Sequence, residues 1–360
     1  MSLYLKTIES IQPADTAVLE QAWRHIDELA KPVGSLGHLE YLAARVAAMT
    51  GCMDYDLGEG RVLVFCADNG VCDEGVSSCP QDVTRQVAIN LTRGLTGVCV
   101  LARSVGARVT PVDLGVKNLS GWPGLLDYKL LPQGTANILR EPAMSREVAI
   151  AALEAGIDCV RRCHNEGSGL FAVGEMGIGN TTTAAAVLSA LAALPPERTV
   201  GRGAGLDDVQ LEHKRRVVRR ALERHSPDAA DPVDVLSKVG GLDIAAMAGA
   251  CLGAAALRRP MVLDGFISCV AGLCALRLCP ACGDYLLASH VSQEPGAVYA
   301  LAELGLEAPL HMHMRLGEGS GAVLLFPLLR AAQEMFTRMG TFAQCEIPQG
   351  AYLDKWQSHL

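Results

Sequence analysis

Three glycine-rich segments of the chain carry residue types that bind phosphate or transfer protons. The first, Gly174-Glu-Met-Gly-Ile-Gly-Asn-Thr-Thr-Thr183, follows an apolar run and opens a helical pattern. Glycines there let backbone N–H groups approach an anion, and threonine hydroxyls and the first helical turn supply further donors. The pattern predicts a phosphate site formed by Gly177, Ile178, Gly179, Asn180, Thr181 and Thr182. The segment is not a Walker loop, because the lysine of that pattern is missing, and its glycine order differs from the dinucleotide fingerprint. The alternative is a tight turn that binds nothing.

A second glycine cluster, Gly201-Arg-Gly-Ala-Gly205-Leu-Asp-Asp, precedes the basic residue Lys214. A flexible glycine turn followed by a cation can form a second contact with the same phosphate, for which we select Gly203 and Lys214. Lys214 also begins a basic run that continues to Arg220. On a helix such a run is typical of a solvated face, and this remains the alternative for it.

The third segment, Arg315-Leu-Gly-Glu-Gly-Ser-Gly321, places the carboxylate of Glu318 among glycines ahead of an apolar helix that starts at Ala322. Glycine neighbours allow a substrate to pack against the carboxylate, and the loss of water raises its pKa toward a value useful for a base. We therefore predict that Glu318 is a general base. The alternative is an acid that only complements the dipole of the following helix.

Strands alternating with helices must position these segments. Short apolar runs predict strands, and helical periodicity separates them. The predicted strands are residues 61–67, 107–114, 170–173, 260–265 and 285–289. Such alternation indicates right-handed βαβ units and therefore an α/β fold with a doubly wound parallel sheet.

The carboxyl ends of these strands carry polar side chains, where ligands gather in such sheets. The residues are Asp68, Asp113, Glu175, Asp264 and His290. A carboxylate beside a buried strand must be solvated or paired, so packing alone explains this bias poorly. The alternative for each acid is that it caps a helix or forms a salt bridge.

Composition narrows the class of protein. The chain has 360 residues, of which 50% are hydrophobic and 19% charged, as in a globular protein. The net charge of −8 argues against a nucleic-acid partner. No secretory signal is visible, and the apolar stretch 244–257 is short for a membrane span, so we expect a cytoplasmic protein with no membrane partner.

Cysteine and histidine spacing raises the question of a metal site. Thirteen cysteines, an odd number, lie mostly in apolar runs and are expected to be reduced core residues. The candidates for zinc ligands are Cys269, Cys274, Cys279, Cys282, and the pair His311 and His313 on one face of a possible strand. Since Cys269 and Cys274 are five residues apart in a helical pattern, we favour ordinary packing and expect no metal.

Five segments of the chain recur, in the same order, in a known family. They are residues 31–37, 68–71, 174–182, 201–208 and 316–321. With them the chain, from about residue 20 to about residue 340, resembles the nicotinate-nucleotide:dimethylbenzimidazole phosphoribosyltransferases of cobalamin biosynthesis. The resemblance implies that nicotinate mononucleotide loses nicotinate and that a benzimidazole nitrogen takes its place on the ribose, giving the α-anomer. No metal or organic cofactor is implied.

The resemblance also implies an architecture. The fold would be a Rossmann-like doubly wound sheet with a small helical domain built from both chain ends, assembled as a homodimer. The expected division places residues 1–58 and 331–360 in the small domain and residues 59–330 in the α/β catalytic domain.

Residue roles follow from the same match. Glu318 corresponds to the general base that deprotonates the benzimidazole, and Glu175 and Asp264 correspond to acidic residues of the active site, of which Glu175 could stabilise a cationic ribose. Arg315 would join Lys214 at the nucleotide phosphate. The residues that would contact the base are Ser78, Gln86, Leu316 and Gly317.

Two residues depart from the family pattern. Cys79 stands where the family usually has an aromatic residue before proline, and Asn69 replaces the usual histidine after Asp68. These departures leave the acceptor open, since a purine or a phenol could replace dimethylbenzimidazole. A regulatory protein that binds the nucleotide without chemistry is the remaining alternative.

Overall fold

A six-stranded parallel sheet forms the centre of the protein, which a computed structural model describes over residues 2–348. The strands are β1 (Glu59–Ala67), β2 (Arg108–Gly115), β3 (Leu126–Asp127), β4 (Ser168–Met176), β5 (Met261–Leu263) and β6 (Leu286–Ala288). They lie in the order β3-β2-β1-β4-β5-β6, and every neighbouring pair is parallel. This confirms the predicted α/β fold with a doubly wound sheet. The order reverses between β1 and β4, so a ligand crevice is expected outside their carboxyl ends.

Helices cover both faces of the sheet. In the first half of the chain they are α1 (Leu3–Ser10), α2 (Thr16–Glu28), α3 (His38–Thr50), α4 (Val83–Thr92), α5 (Gly97–Ser104), α6 (Arg146–Asn165) and α7 (Asn180–Ala192). In the second half they are α8 (Pro196–Thr199), α9 (Asp208–His225), α10 (Pro232–Val239), α11 (Leu242–Ala256), α12 (Phe266–Leu278), α13 (Gly296–Leu304) and α14 (Ser320–Arg338). Two 3₁₀ turns, Gly70–Glu74 and Pro280–Tyr285, complete the regular structure.

Small residues set the spacing of the central helices. A Cβ atom on Gly156 of α6 or on Gly249 of α11 would penetrate the backbone of the facing helix, so these glycines let the two helices approach closely. The apolar stretch 244–257 is thus the core helix α11, almost all of whose residues are buried. None of the helices in residues 2–348 is both long and apolar enough to cross a membrane.

The two ends of the chain lie together. The N–H of Ala30 donates to the carbonyl oxygen of Gly340 at 2.9 Å, and that of Phe342 donates to Glu28 at 2.9 Å. A buried ion pair between Lys31 and Glu40, with 2.8 Å between Nζ and Oε1, secures the loop between α2 and α3. This arrangement is compatible with the expected small helical domain. The domain boundaries after residue 58 and before residue 331 stay a prediction. Residues 349–360, which were assigned to the small domain, lie outside the described part of the chain.

Of the residues considered as zinc ligands, the four cysteines are buried and the two histidines are exposed. All thirteen thiols are free, and Cys269, Cys274, Cys279 and Cys282 are buried. Within residues 2–348 no three His, Cys, Asp or Glu side chains cluster as metal ligands. The strand considered for His311 and His313 is wrong: the two exposed histidines lie in a loop, because His313 adopts a left-handed backbone (φ 55°) that ends extended structure.

Candidate active site

A cavity of about 280 Å³ opens at the carboxyl ends of β4, β5 and β6. Its lining brings together the first and third glycine segments and polar side chains from the strand ends. The polar and charged residues of the lining include Glu175, Asn180, Thr181, Asp264, His290, Glu294, Arg315 and Glu318. The sheet topology therefore places the predicted phosphate segment and the predicted base in one cavity, beside the point where the strand order reverses.

The first glycine segment turns sharply between β4 and the 13-residue helix α7. Gly179 has a left-handed backbone (φ 96°), and a Cβ atom on it would lie 2.7 Å from Cys72 Sγ, so a larger residue does not fit. The hydroxyl of Thr84 accepts the N–H of Ile178 at 3.0 Å and fixes the turn. Residues 177–181 line the cavity at the N-terminal end of α7, where the helix dipole favours an anion. Thr182, also predicted for this site, is buried behind them.

Lys214 lies directly behind this turn. Its side chain is 1% exposed, and Nζ donates to Thr181 Oγ1 at 2.7 Å. The alternative of a solvated basic face is therefore wrong for Lys214, although Arg216 and Arg220 farther along α9 are exposed. Burial is the main reason why the pKa of Lys214 falls to about 8.

The second glycine cluster also lies beside Lys214, and its backbone is bound by Glu294, a residue that was not predicted for the site. The N–H of Gly203 donates to Glu294 Oε1 at 2.9 Å. Gly203 lines the cavity, and a Cβ atom on it would lie 3.4 Å from Lys214 Nζ. The predicted neighbourhood of Gly203 and Lys214 is thus present, while the backbone donor of Gly203 is already occupied by a carboxylate.

Glu318 is presented by a strained turn. Gly317 (φ 89°), Glu318 (φ 64°) and Gly319 (φ 88°) are consecutive left-handed residues, a conformation that is unfavourable for glutamate. Asp264 stabilises the turn: Oδ2 accepts the N–H of Gly319 at 3.2 Å, and Oδ1 accepts the N–H of Gly321 at 2.6 Å. Asp264 therefore acts on the position of Glu318 through the backbone.

The carboxylate of Glu318 is 8% exposed and lines the cavity. Burial raises its pKa, and the N–H of Val98, which donates to Oε2 at 3.2 Å, opposes this rise. Val98 lies in the first turn of α5, so the carboxylate faces the positive end of a helix other than the one it precedes. A carboxyl group with a raised pKa at a cavity wall is suited to general-base chemistry.

Glu175 and a second unpredicted residue, Asp243, share one amide donor. The amide nitrogen of Asn180 donates to Glu175 Oε2 and, at 3.0 Å, to Asp243 Oδ2. Burial and the charge of Asp243 raise the pKa of Glu175 well above its ordinary value. A cationic ligand would draw that pKa down, and Glu175 could stabilise positive charge only when such a ligand is bound.

The remaining acids at strand ends have structural roles. Asp113 Oδ2 lies 3.0 Å from Lys129 Nζ, and Oδ1 accepts the N–H of Val116 at 2.8 Å. Asp68 Oδ2 accepts the N–H of Lys117 at 2.7 Å. Neither acid lines the cavity. The salt-bridge alternative describes Asp113, whereas Asp68 accepts a backbone N–H and, within residues 2–348, forms no salt bridge.

The residues expected at the acceptor base divide into two groups. Leu316 and Gly317 line the cavity together with Arg315, and Leu316 is 62% exposed. Ser78 and Gln86 are exposed and lie outside the lining, where Ser77, Val83 and Val87 are found instead. Val83 and Val87 are four residues apart on α4 and share one face, whereas Gln86 points elsewhere and donates to Asp82.

Asp243 gives a prediction about stability. Burial raises its pKa from 3.8 to about 6, so between these values the folded state binds a proton that the unfolded state releases. The free energy of unfolding should therefore decrease as pH rises through about 6, by an amount on the order of 3 kcal/mol. Urea unfolding of wild type and Asp243→Asn from about pH 4 to about pH 7 should show a shallower decrease in the variant. Equal slopes would mean that Asp243 does not titrate in this range.

Comparison with known proteins gives a consistent result. Residues 11–347 match the model of a family described as DBI_PRT, phosphoribosyltransferase. The chain is 47% identical over 349 residues to the nicotinate-nucleotide--dimethylbenzimidazole phosphoribosyltransferase of Desulforudis audaxviator, covering 97% of this chain and 99% of that protein. The protein of the same name from Escherichia coli strain SE11 is 47% identical, with 95% of each chain covered. The crystal structure of CobT from Thermus thermophilus is 44% identical with a TM-score of 0.89, covering 93% of this chain and 100% of that one.

Proposed function

Because this chain belongs to the phosphoribosyltransferase family, we propose that it transfers the phosphoribosyl group of nicotinate mononucleotide to a nitrogen of 5,6-dimethylbenzimidazole. The observation that carries the proposal is one cavity lined both by the glycine turn 177–181 and by the carboxylate of Glu318. A phosphate bound at the N-terminus of α7 would leave the ribose between that turn and Glu318. The product would be the α-ribazole 5′-phosphate needed for cobalamin, and nicotinate would be released.

The chemistry is balanced without a cofactor. The bond between C1′ and the pyridinium nitrogen breaks, and its electron pair leaves with nicotinate. A bond forms between C1′ and one benzimidazole nitrogen, while the N–H proton of the other nitrogen passes to Glu318. Since the pyridinium is already a cationic leaving group, it needs little acid assistance. Attack from the opposite face gives the α-anomer, and positive charge developing on the ribose favours ionised Glu175 beside it.

The identity of the acceptor is the least constrained part of the proposal. The apolar side chains of Val83, Val87 and Leu316 support a hydrophobic acceptor with methyl groups. Cys79, which replaces an aromatic residue of the family pattern, lies outside the cavity lining and so supports no change of acceptor. Purines and phenols remain the alternative acceptors.

The assay follows directly. The protein is incubated with nicotinate mononucleotide and an equimolar mixture of dimethylbenzimidazole, adenine and p-cresol, and nicotinate and each nucleotide product are quantified by chromatography. We expect nicotinate release coupled to formation of the dimethylbenzimidazole nucleotide. If nicotinate is released but only the adenine or the p-cresol product forms, the acceptor is not dimethylbenzimidazole. If nicotinate mononucleotide binds but no nicotinate is released, the result supports a regulatory protein instead.

Assembly and location belong to the same proposal. The exposed apolar side chains of Leu95, Val100 and Leu316 support the expected homodimer, because such residues favour contact with another chain. Thirteen free thiols support a reducing compartment such as the cytoplasm. Light scattering of the purified protein tests the dimer, which a molar mass near 38 kDa, that of one chain, would contradict.

A further inference from the structure

Lys214 is a buried basic residue that forms no ion pair with any residue in the described range 2–348. Its Nζ donates a hydrogen bond to the uncharged hydroxyl of Thr181, at 2.7 Å. Among the side chains of residues 2–348, no carboxylate lies within 4.0 Å of its Nζ. Burying a charge is unfavourable unless an opposite charge is near, so a carboxylate beyond that distance affects how readily Lys214 keeps its proton.

Glu294 is the carboxylate that we consider for this effect on Lys214. It lies in the loop between β6 and α13, is 8% exposed, and lines the cavity. Oε1 accepts the N–H of Gly203, while the buried Oε2 accepts no hydrogen bond from the part of the chain that the structure describes. Gly203 in turn lies against both Lys214 and Thr181, so the glycine turn separates the cation from the carboxylate. Glu294 therefore places a negative charge on the far side of the Gly203 turn from Lys214.

We infer that Glu294 is a positioning residue for the phosphate site, which keeps Lys214 cationic and anchors the Gly203 turn against it. The inference rests on the proposed function, because it assumes that the substrate phosphate binds at residues 177–181. Glu294 does not itself bind the phosphate, which it would repel. It sustains the positive charge that attracts the phosphate.

The titration of Lys214 makes the inference testable. Burial lowers its pKa to about 8, and attraction to Glu294 is the largest effect opposing that fall. Among the elements packed against Lys214, the 70–74 turn contributes Cys72, and α7 contributes the uncharged Thr181. Burial raises the pKa of Cys72 to about 12, so this thiol is uncharged near neutrality. Attraction to Glu294 is thus the largest effect that favours the protonated form of Lys214.

The experiment measures KM for nicotinate mononucleotide against pH in wild type and Glu294→Gln. In wild type, KM should begin to rise near pH 8, where Lys214 loses its proton. In the variant the rise should begin about one pH unit lower, because a nearby opposite charge stabilises a cation by at least that much. We expect kcat to change far less than KM, since the charge on Lys214 acts on phosphate binding and Lys214 takes no part in bond breaking.

Three controls separate this role from a structural one. Nicotinate riboside, which lacks the phosphate, should show no difference in onset between wild type and Glu294→Gln. Glu294→Asp, which keeps the charge, should restore the onset even if it packs less well. Glu303→Gln, at the ion pair between Glu303 and Arg277 on the surface, should behave as wild type.

An identical onset of the KM rise in wild type and Glu294→Gln would overturn the inference, as would an equal shift with nicotinate riboside. Failure of the proposed function would look different, because wild type itself would then release no nicotinate at any pH. If Glu294→Gln does not fold, Glu294→Asp still decides the matter: the onset must stay near that of wild type, and an onset about one pH unit lower in this variant would contradict the inference.

Discussion

Replacing Glu318 with glutamine is expected to lower kcat for nicotinate release by about 10²–10⁴-fold, the usual contribution of a general base. Glutamine has the same shape and can occupy the turn between Gly317 and Gly319, but its amide cannot take a proton from the acceptor. The KM for nicotinate mononucleotide should change little, because the glycine turn 177–181 binds its phosphate elsewhere in the cavity. Steady-state kinetics with dimethylbenzimidazole as acceptor measures both constants.

The pH profile provides an independent check of the same substitution. A base must be ionised, and burial raises the pKa of Glu318, so kcat/KM of wild type should increase with pH through that raised value. For Glu318→Gln, kcat/KM should not show this increase with pH. The matched control is Glu334→Gln on the exposed part of α14, where Glu334 pairs with Arg338 at 3.0 Å. A wild-type rate in Glu318→Gln would exclude the carboxylate from proton transfer.

The substitution Gly174→Ala should have the second largest effect, although residue 174 transfers no proton. A Cβ atom at this position would overlap the backbone carbonyl carbon and oxygen of Glu318. Because backbone atoms cannot rotate out of the way, the whole turn must move by about 1 Å or more. A displacement of that size costs about 10²-fold in rate. We expect kcat to fall by about that factor and the melting temperature to drop, while the phosphate turn still binds nucleotide.

Gly305→Ala is the matched control for this prediction. Gly305 ends α13 with a left-handed backbone (φ 63°), and no atom lies within 4 Å of the added Cβ. Alanine there introduces backbone strain of about 1 kcal/mol but no overlap. Its activity should therefore equal that of wild type despite a lower melting temperature. If Gly174→Ala also retained full activity, Glu318 would not need its observed position.

Much of the fold is predictable from the chain because local and tertiary preferences agree. The apolar run 61–67 lies within β1, and the run 170–173 lies within β4, since β-branched and aromatic residues in a buried parallel strand form continuous apolar segments. The glycine segments were also informative. Their left-handed residues Gly179, Gly317 and Gly319 occupy the positions that a turn beside a ligand requires.

The unpredicted parts of the site depend on contacts between distant segments. Asp243 and Glu294 become important only because folding brings them to Asn180 and Gly203, which are 63 and 91 residues away along the chain. The chain offers one weak local signal for each: Asp243 follows two glycines and a leucine, and Glu294 precedes Pro-Gly. Ser78 and Gln86 do not line the cavity, although the adjacent residues Ser77 and Val87 do. Moving by one residue along a loop or helix changes the direction in which the side chain points.

The most direct test of proton transfer to Glu318 removes the proton from the acceptor. Nicotinate release is measured for wild type and Glu318→Gln with dimethylbenzimidazole and with its N-methylated form, which retains one attacking nitrogen but has no N–H. If Glu318 takes that proton, methylation should slow wild type to about the rate of the variant and should leave the variant itself nearly unchanged. If the variant is slowed by methylation as strongly as wild type, the carboxylate at position 318 acts in some other way and the proposed mechanism is wrong.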